Sequence, residues 1–101
     1  MITEKRVLLT VITEAALESV LLKDLGSLGI RGYTLMDVRG KGSRGVRDGQ
    51  LQESANIRIE TVVTEQKAKL LLNHLAQHYY DHYAMIAFMR EVDILRPEKF
   101  T

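Results

Sequence analysis

The chain has 101 residues, which is enough for one compact domain and too few for two ordinary ones. Its 46% hydrophobic and 27% charged residues place it among folded soluble domains, away from disordered or fibrous sequences. A net charge of +1 excludes a polycation built for general attraction to nucleic acid or acidic membrane, and the lack of cysteine excludes disulfides, CxxC redox chemistry and thiolate metal sites. No apolar run approaches the ~18 residues of a membrane span, and MITEKRVLLT lacks the architecture of a signal peptide, so the expectation is a cytoplasmic protein without membrane insertion.

The first element is VLLTVIT, Val7 to Thr13, a β-branched run that reads as a buried strand. Thr13 is then expected to cap a helix carrying Leu17, Val20, Leu21, Leu25 and Leu28 at helical spacing, with Glu14 and Glu18 near the positive end of its dipole. Gly26 and Gly29 are expected to end it. A second strand, Tyr33 to Val38, follows the glycine turn, and Ser54 to Val63 resumes alternation with Ile57, Ile59, Thr61 and Val63 on one face. Thr64 is placed to cap a second helix with the stripe Ala68, Leu71, Leu72, Leu75 and Tyr79 and an outward face of Lys67, Asn73, His74, Gln77 and His78. Ala84 to Met89 is the last core strand; Val92 to Leu95 either extends it or forms a further short strand before Pro97.

The order β-α-β-β-α-β predicts an α+β, ferredoxin-like domain: a four-stranded antiparallel sheet with both helices on one face. Leu8 and Ile12 oppose Val7, Leu9 and Val11, and Ile86 and Phe88 oppose Met85 and Met89. The uncovered sheet face is therefore partly apolar, and burial against another subunit is expected.

Between the second and third strands lies a segment of about fifteen residues, long for a hairpin connection. From Val38 to Gly49 it carries Arg39, Lys41, Arg44 and Arg47 against Asp48, a local excess of +3 that leaves the rest of the chain about −2. Within it GKGSRG, Gly40 to Gly45, spells GxGxxG. A dinucleotide fingerprint needs a helix opening at the third glycine, whereas VRDGQLQESAN has no apolar stripe; GxxxxGK[ST] is also unmatched. Two readings remain. Gly40, Gly42, Gly45 and Gly49 let successive amides converge on an anion, with Lys41, Arg44 and Arg47 adding charge-assisted bonds, or the segment is a solvated basic loop tip.

Other constellations carry less. His74, His78 and His82 recur every fourth residue and would form one stripe on a helix, able to hold zinc or simply exposed, with only Asp81 nearby to complete a ligand set. Tyr79, Tyr80, Tyr83 and Phe88 are read as core and interface packing. An RNA-recognition domain shares this element order but stacks bases on aromatics of its first and third strands; VLLTVIT and SANIRIETVV contain none, so no nucleic-acid partner is expected. No nucleophile–base set is legible, and Glu60 and Glu91 lack a carboxylate partner, so no catalytic residue is assigned.

GYTLMDV, GKGSRGVR, ANIRIET and HYYDHYAMIAFM together resemble the PII-like signalling proteins of the branch associated with bicarbonate transporters and carboxysomes, and the likeness covers nearly the whole chain. That resemblance implies one PII-like domain over 1–101 and a T-loop at about 39–53 that docks on a transporter or carboxysome-related protein. It implies a homotrimer with three adenine-nucleotide sites in the clefts between neighbours. It assigns nucleotide phosphate to Gly40, Lys41, Gly42, Ser43, Arg44 and Arg47. The adenosine is assigned to Tyr33 and Thr34, with Phe88, Met89, Arg90 and Glu91 of the adjoining subunit. The implied ligands are ADP or AMP, with ATP and cyclic AMP as further candidates and bicarbonate as a second effector; no cofactor is implied. Relatives with a cysteine-paired C-terminal loop are linked to redox control and nucleotide hydrolysis, but this chain ends RPEKFT without cysteine. The expectation is therefore a non-enzymatic sensor; a nucleotide-hydrolysing enzyme using the same cleft and a metal-responsive trimer using the histidine stripe are the competing readings.

Overall fold

The computed structural model describes residues 2–40 and 55–101, together with the backbone of 46–47 and 50–51. Strand β1 (Glu4–Glu14) leads through a 3-10 turn (Ala15–Leu17) into α1 (Glu18–Ser27), then β2 (Thr34–Val38). A short hairpin, β3 (Val46–Arg47) and β4 (Gln50–Leu51), precedes β5 (Asn56–Val63), α2 (Glu65–His78) and β6 (Met85–Ile94), and a second 3-10 turn (Pro97–Lys99) closes the chain. The four long strands form one antiparallel sheet in the order β2-β5-β1-β6, and β3 pairs with β4 apart from it. This is the ferredoxin-like plan that the element order predicts.

Alternation decides which face is covered. Val7, Leu9 and Val11 of β1, Ile57, Ile59 and Val63 of β5, and Met85 of β6 join one buried cluster with Leu17, Leu21 and Leu25 before and within α1 and Ala68, Leu71, Leu75 and Tyr79 at α2. Register confirms the shared face, since Leu9 sits opposite both Thr61 and Met89, and Val11 opposite Ile59 and Ala87. Fully burying each Leu or Ile contributes about 1.5–3 kcal/mol, so this one layer carries the fold. Thr64 caps α2 as expected, its Oγ1 accepting the Lys67 amide at 3.3 Å.

The junction after β1 differs from the sequence expectation. Thr13 is not a helix cap: it is 1% exposed within β1, and its Oγ1 donates to the carbonyl of Ala84 at 3.0 Å, tying the end of β1 to the start of β6. The strand runs on to Glu14, whose Oε2 accepts the Ala84 amide at 3.2 Å, and α1 starts at Glu18 after Leu17, with no side-chain cap. A buried threonine hydroxyl must find a partner, and a carbonyl 71 residues away in the chain wins over a local amide. Val20 points outward at 40% exposure, whereas Leu17, Leu21 and Leu25 are buried and Leu22 and Leu28 pack against the same cluster. Gly26 lies inside α1, and the turn is made instead by Gly29, whose φ of 80° favours glycine. At the other end β6 is a single strand through Ile94, so Val92 extends it rather than starting another element.

Candidate functional site

The proposed phosphate loop follows β2, and the turn that leads into β2 is held from beneath. Lys67 Nζ donates to the Gly29 carbonyl at 2.8 Å, and buried Thr61 donates through Oγ1 to the Gly32 carbonyl at 2.7 Å. Together they fix the turn that delivers Tyr33, 45% exposed, and Thr34, which is exposed and opposite Glu60. Gly40 follows in an open position, where an added Cβ would meet nothing within 4 Å. Arg47 lies in β3 opposite Gln50; Lys41, Gly42, Ser43 and Arg44 lie outside the described residues.

The second nominated group sits on β6. Phe88, 47% exposed, points to the open sheet face, and Met89 lies on the helix-covered side. Met89, Arg90 and Glu91 line a cavity of about 300 Å³ with Lys5, Arg6, Val7 and Glu65. Those four residues were not nominated from sequence. The only signal was the Lys5–Arg6 pair ahead of the first strand, which reads as a charged boundary.

Electrostatics in this cavity are largely committed within the chain. Lys5 Nζ lies 2.7 Å from Asp93 and 3.8 Å from Glu91, and its ammonium is held above the usual lysine range, first by the Asp93 hydrogen bond and then by that carboxylate's charge. Glu65 pairs with Lys69 at 3.3 Å, one helical turn on. Arg90 has no ion pair among the described residues.

Sheet order separates the two nominated groups. β2 and β6 are opposite edges with β5 and β1 between them, so at ~4.8 Å per strand they stand about 14 Å apart. Tyr33 and Thr34 are therefore separated from Phe88–Glu91 of the same chain by the width of the sheet. Each edge could instead supply half of a site to a neighbouring copy. The open face between them shows Leu8, Ile12, Ile86 and Phe88, and at its centre Arg58 donates through Nη2 and Nε to one Glu60 oxygen at 2.9 and 3.2 Å.

The histidine stripe is not a stripe on one helix. α2 ends at His78, and His82 lies in the following turn, where its amide bonds to the Tyr79 carbonyl. His74 is half-buried rather than outward, with Nε2 3.0 Å from Asp24 Oδ2, an oxygen that also accepts the Tyr79 hydroxyl. The His78 ring lies against that of His74, centroids 4.4 Å apart and planes tilted by 43°. Burial, followed by the Asp24 hydrogen bond, pushes the Tyr79 phenol up to about 12. Among the described residues no group of three or more acidic, histidine or cysteine side chains is arranged to hold a metal ion. No helix among the described residues is long and apolar enough to cross a membrane.

Known proteins share this arrangement over essentially the whole chain. A PII-like signalling protein from Thermus thermophilus is 40% identical with a TM-score of 0.84, each chain covered fully. CPII from Thiomonas intermedia, in a structure bound to ADP and bicarbonate, is 29% identical with a TM-score of 0.85 over 99% of this chain and 98% of that one. A structure of the same relative bound to ADP, AMP and acetate gives 26% identity and a TM-score of 0.86 over the same shares. The family model described as nitrogen regulatory protein P-II matches residues 6–99, and the chain belongs to that family.

Proposed function

We propose that this protein is a non-enzymatic signalling subunit that binds ADP or AMP, senses bicarbonate, and reports occupancy through the loop at about 39–53. The observation that carries the reading is the match, over 99% of the chain, to a relative holding ADP and bicarbonate. The fold supports it. Thr34 stands on one edge strand, with Tyr33 just before it and the segment carrying Gly40, Lys41, Gly42, Ser43, Arg44 and Arg47 following that strand in sequence, and Phe88, Met89, Arg90 and Glu91 stand on the other edge strand. A cleft between two copies unites them, and a closed ring of three such clefts makes a homotrimer whose interior is the apolar open face.

Phosphate bound by Lys41, Arg44 and Arg47 would order a glycine-rich loop that is otherwise entropically costly to fix, since each charge-assisted bond contributes about 1.5–3 kcal/mol. Two or three such bonds supply the few kcal/mol of differential affinity that a population shift requires. The ordered loop would then present or withdraw a docking surface for a bicarbonate-transporter or carboxysome-related protein in the cytoplasm. Isothermal calorimetry with ADP, AMP and cyclic AMP, each with and without bicarbonate, tests the reading. An Arg44→Ala, Arg47→Ala double variant should lose at least about tenfold in ADP affinity, the equivalent of one charge-assisted bond; binding unchanged from the parent removes the phosphate assignment.

A further inference from the structure

The segment from Arg96 to Thr101 is folded back and bonded by the Arg6 side chain. Arg96 adopts φ 56° and ψ 59°, the only left-handed non-glycine residue among those described, and Pro97 starts the 3-10 turn directly after it. The turn is closed by the Lys99 amide on the Arg96 carbonyl and the Phe100 amide on the Pro97 carbonyl, both at 3.1 Å. Across the fold, Arg6 Nε donates to the Phe100 carbonyl at 2.7 Å and Nη2 to the Pro97 carbonyl at 3.2 Å. Its Nη1 reaches the Lys5 carbonyl at 2.8 Å and Glu4 at 3.3 Å. The Arg6 side chain is only 16% exposed, so the bonds that tie the segment to the sheet are made out of bulk water.

Two features point to function rather than mere termination. A left-handed arginine is strained backbone, kept only where surrounding contacts over-determine it; here the Lys99 amide bonds its carbonyl and the Arg6 guanidinium holds the turn that follows. Arg6 also lines the cavity formed with Lys5, Arg90 and Glu91. With Lys5 committed to Asp93 and Glu91, and Arg6 to Glu4 and its carbonyl partners, Arg90 is the lining cation without an ion pair among the described residues, and an anion that it attracts would compete for the neighbouring Arg6 guanidinium. A phosphate oxygen makes a charge-assisted bond to arginine roughly twice as strong as a neutral carbonyl does.

We propose that residues 96–101 form a strap latched by Arg6, and that a phosphate-bearing ligand in the adjoining cavity draws Arg6 off the Pro97 and Phe100 carbonyls and releases it. Arg6 is thus a positioning residue that converts occupancy into C-terminal order. The ligand half of this inference rests on the nucleotide reading above; the latch half does not.

Hydrogen exchange of the C-terminal peptide, followed in parallel with calorimetry, tests both halves. Arg6→Gln without ligand should raise exchange over 96–101 by at least about tenfold while the β1 and β5 amides keep their protection. Saturating ADP should loosen the same peptide in the parent protein. Unchanged C-terminal exchange in Arg6→Gln overturns the latch. ADP that binds by calorimetry yet leaves the peptide unchanged or more protected overturns the release. If ADP fails to bind at all, the nucleotide reading and the release fall together, and the Arg6→Gln comparison still decides the latch. Should Arg6→Gln not fold, Arg6→Lys, which keeps the charge but loses the forked geometry, must show the same loosening.

Discussion

The two faces of one sheet solve different problems. The covered face closes within the chain: Leu9, Ile57, Leu71 and Leu75 are at most 1% exposed and find their partners in a single cluster. The open face has the same kind of residues, yet Ile86 and Phe88 stand 56% and 47% exposed, with the Arg58–Glu60 pair among them. Apolar side chains exposed at this density mark a surface suited to burial, so the difference separates residues that make the fold from residues available to the assembly proposed above.

The sharpest way to break this contrast is to put charge on the open face. Phe88→Asp combined with Ile86→Asp should abolish association, because burying two unpaired carboxylates costs several kcal/mol. Sedimentation equilibrium should then show a monomer where the parent is expected to run as a trimer; a variant that still assembles would move the interface elsewhere. On the covered face Leu75→Ala should cost about 2–5 kcal/mol in equilibrium denaturation. In the monomeric background Ile86→Ala, by contrast, should stay within about 0.5 kcal/mol. Equal losses at the two positions would erase the distinction.

Smaller effects sharpen the covered layer. Thr64→Ala removes the cap that receives the Lys67 amide and should cost about 1 kcal/mol by denaturation. Tyr79 gives a signed pH dependence. Its phenol is raised from 10 to about 12, so the folded state favours the protonated form. The associated stability is fully present below about pH 10 and is lost as pH rises through about 12. Thermal midpoints of the parent should fall across that window more steeply than those of Tyr79→Phe; parallel curves would show that the buried Tyr79 phenol does not govern alkaline stability.

How legible was all this? The covered stripes were readable because alternation in NIRIETVV and helical spacing in EQKAKLLLNHLAQH each repeat several times within one element. Thr64 was readable because an N-cap acts on an amide three residues ahead. Thr13 presents the same local signal and does something else: its partner is Ala84 across the sheet. His74 looked outward on a wheel, but Asp24 on α1 turns it into a bond between helices. Among the nominated site residues, Met89–Glu91 share a cavity with Lys5, Arg6 and Glu65, a grouping that no spacing announces. The β3–β4 hairpin inside the long loop was not foreseen either, since VRDGQL has too few residues for a periodic signal.

The sequence by itself determined the type and order of the four long strands and two helices and the main side of each that turns inward, because periods of 2 and 3.6 are set by local backbone geometry and need no distant partner. Only the tertiary structure decided that β1 lies between β5 and β6, that β2 and β6 are therefore opposite edges, and that Arg6 meets Phe100. Those outcomes depend on contacts between residues dozens of positions apart, where the choice of partner follows from the shared core and the need to satisfy buried donors and acceptors, and not from any local pattern.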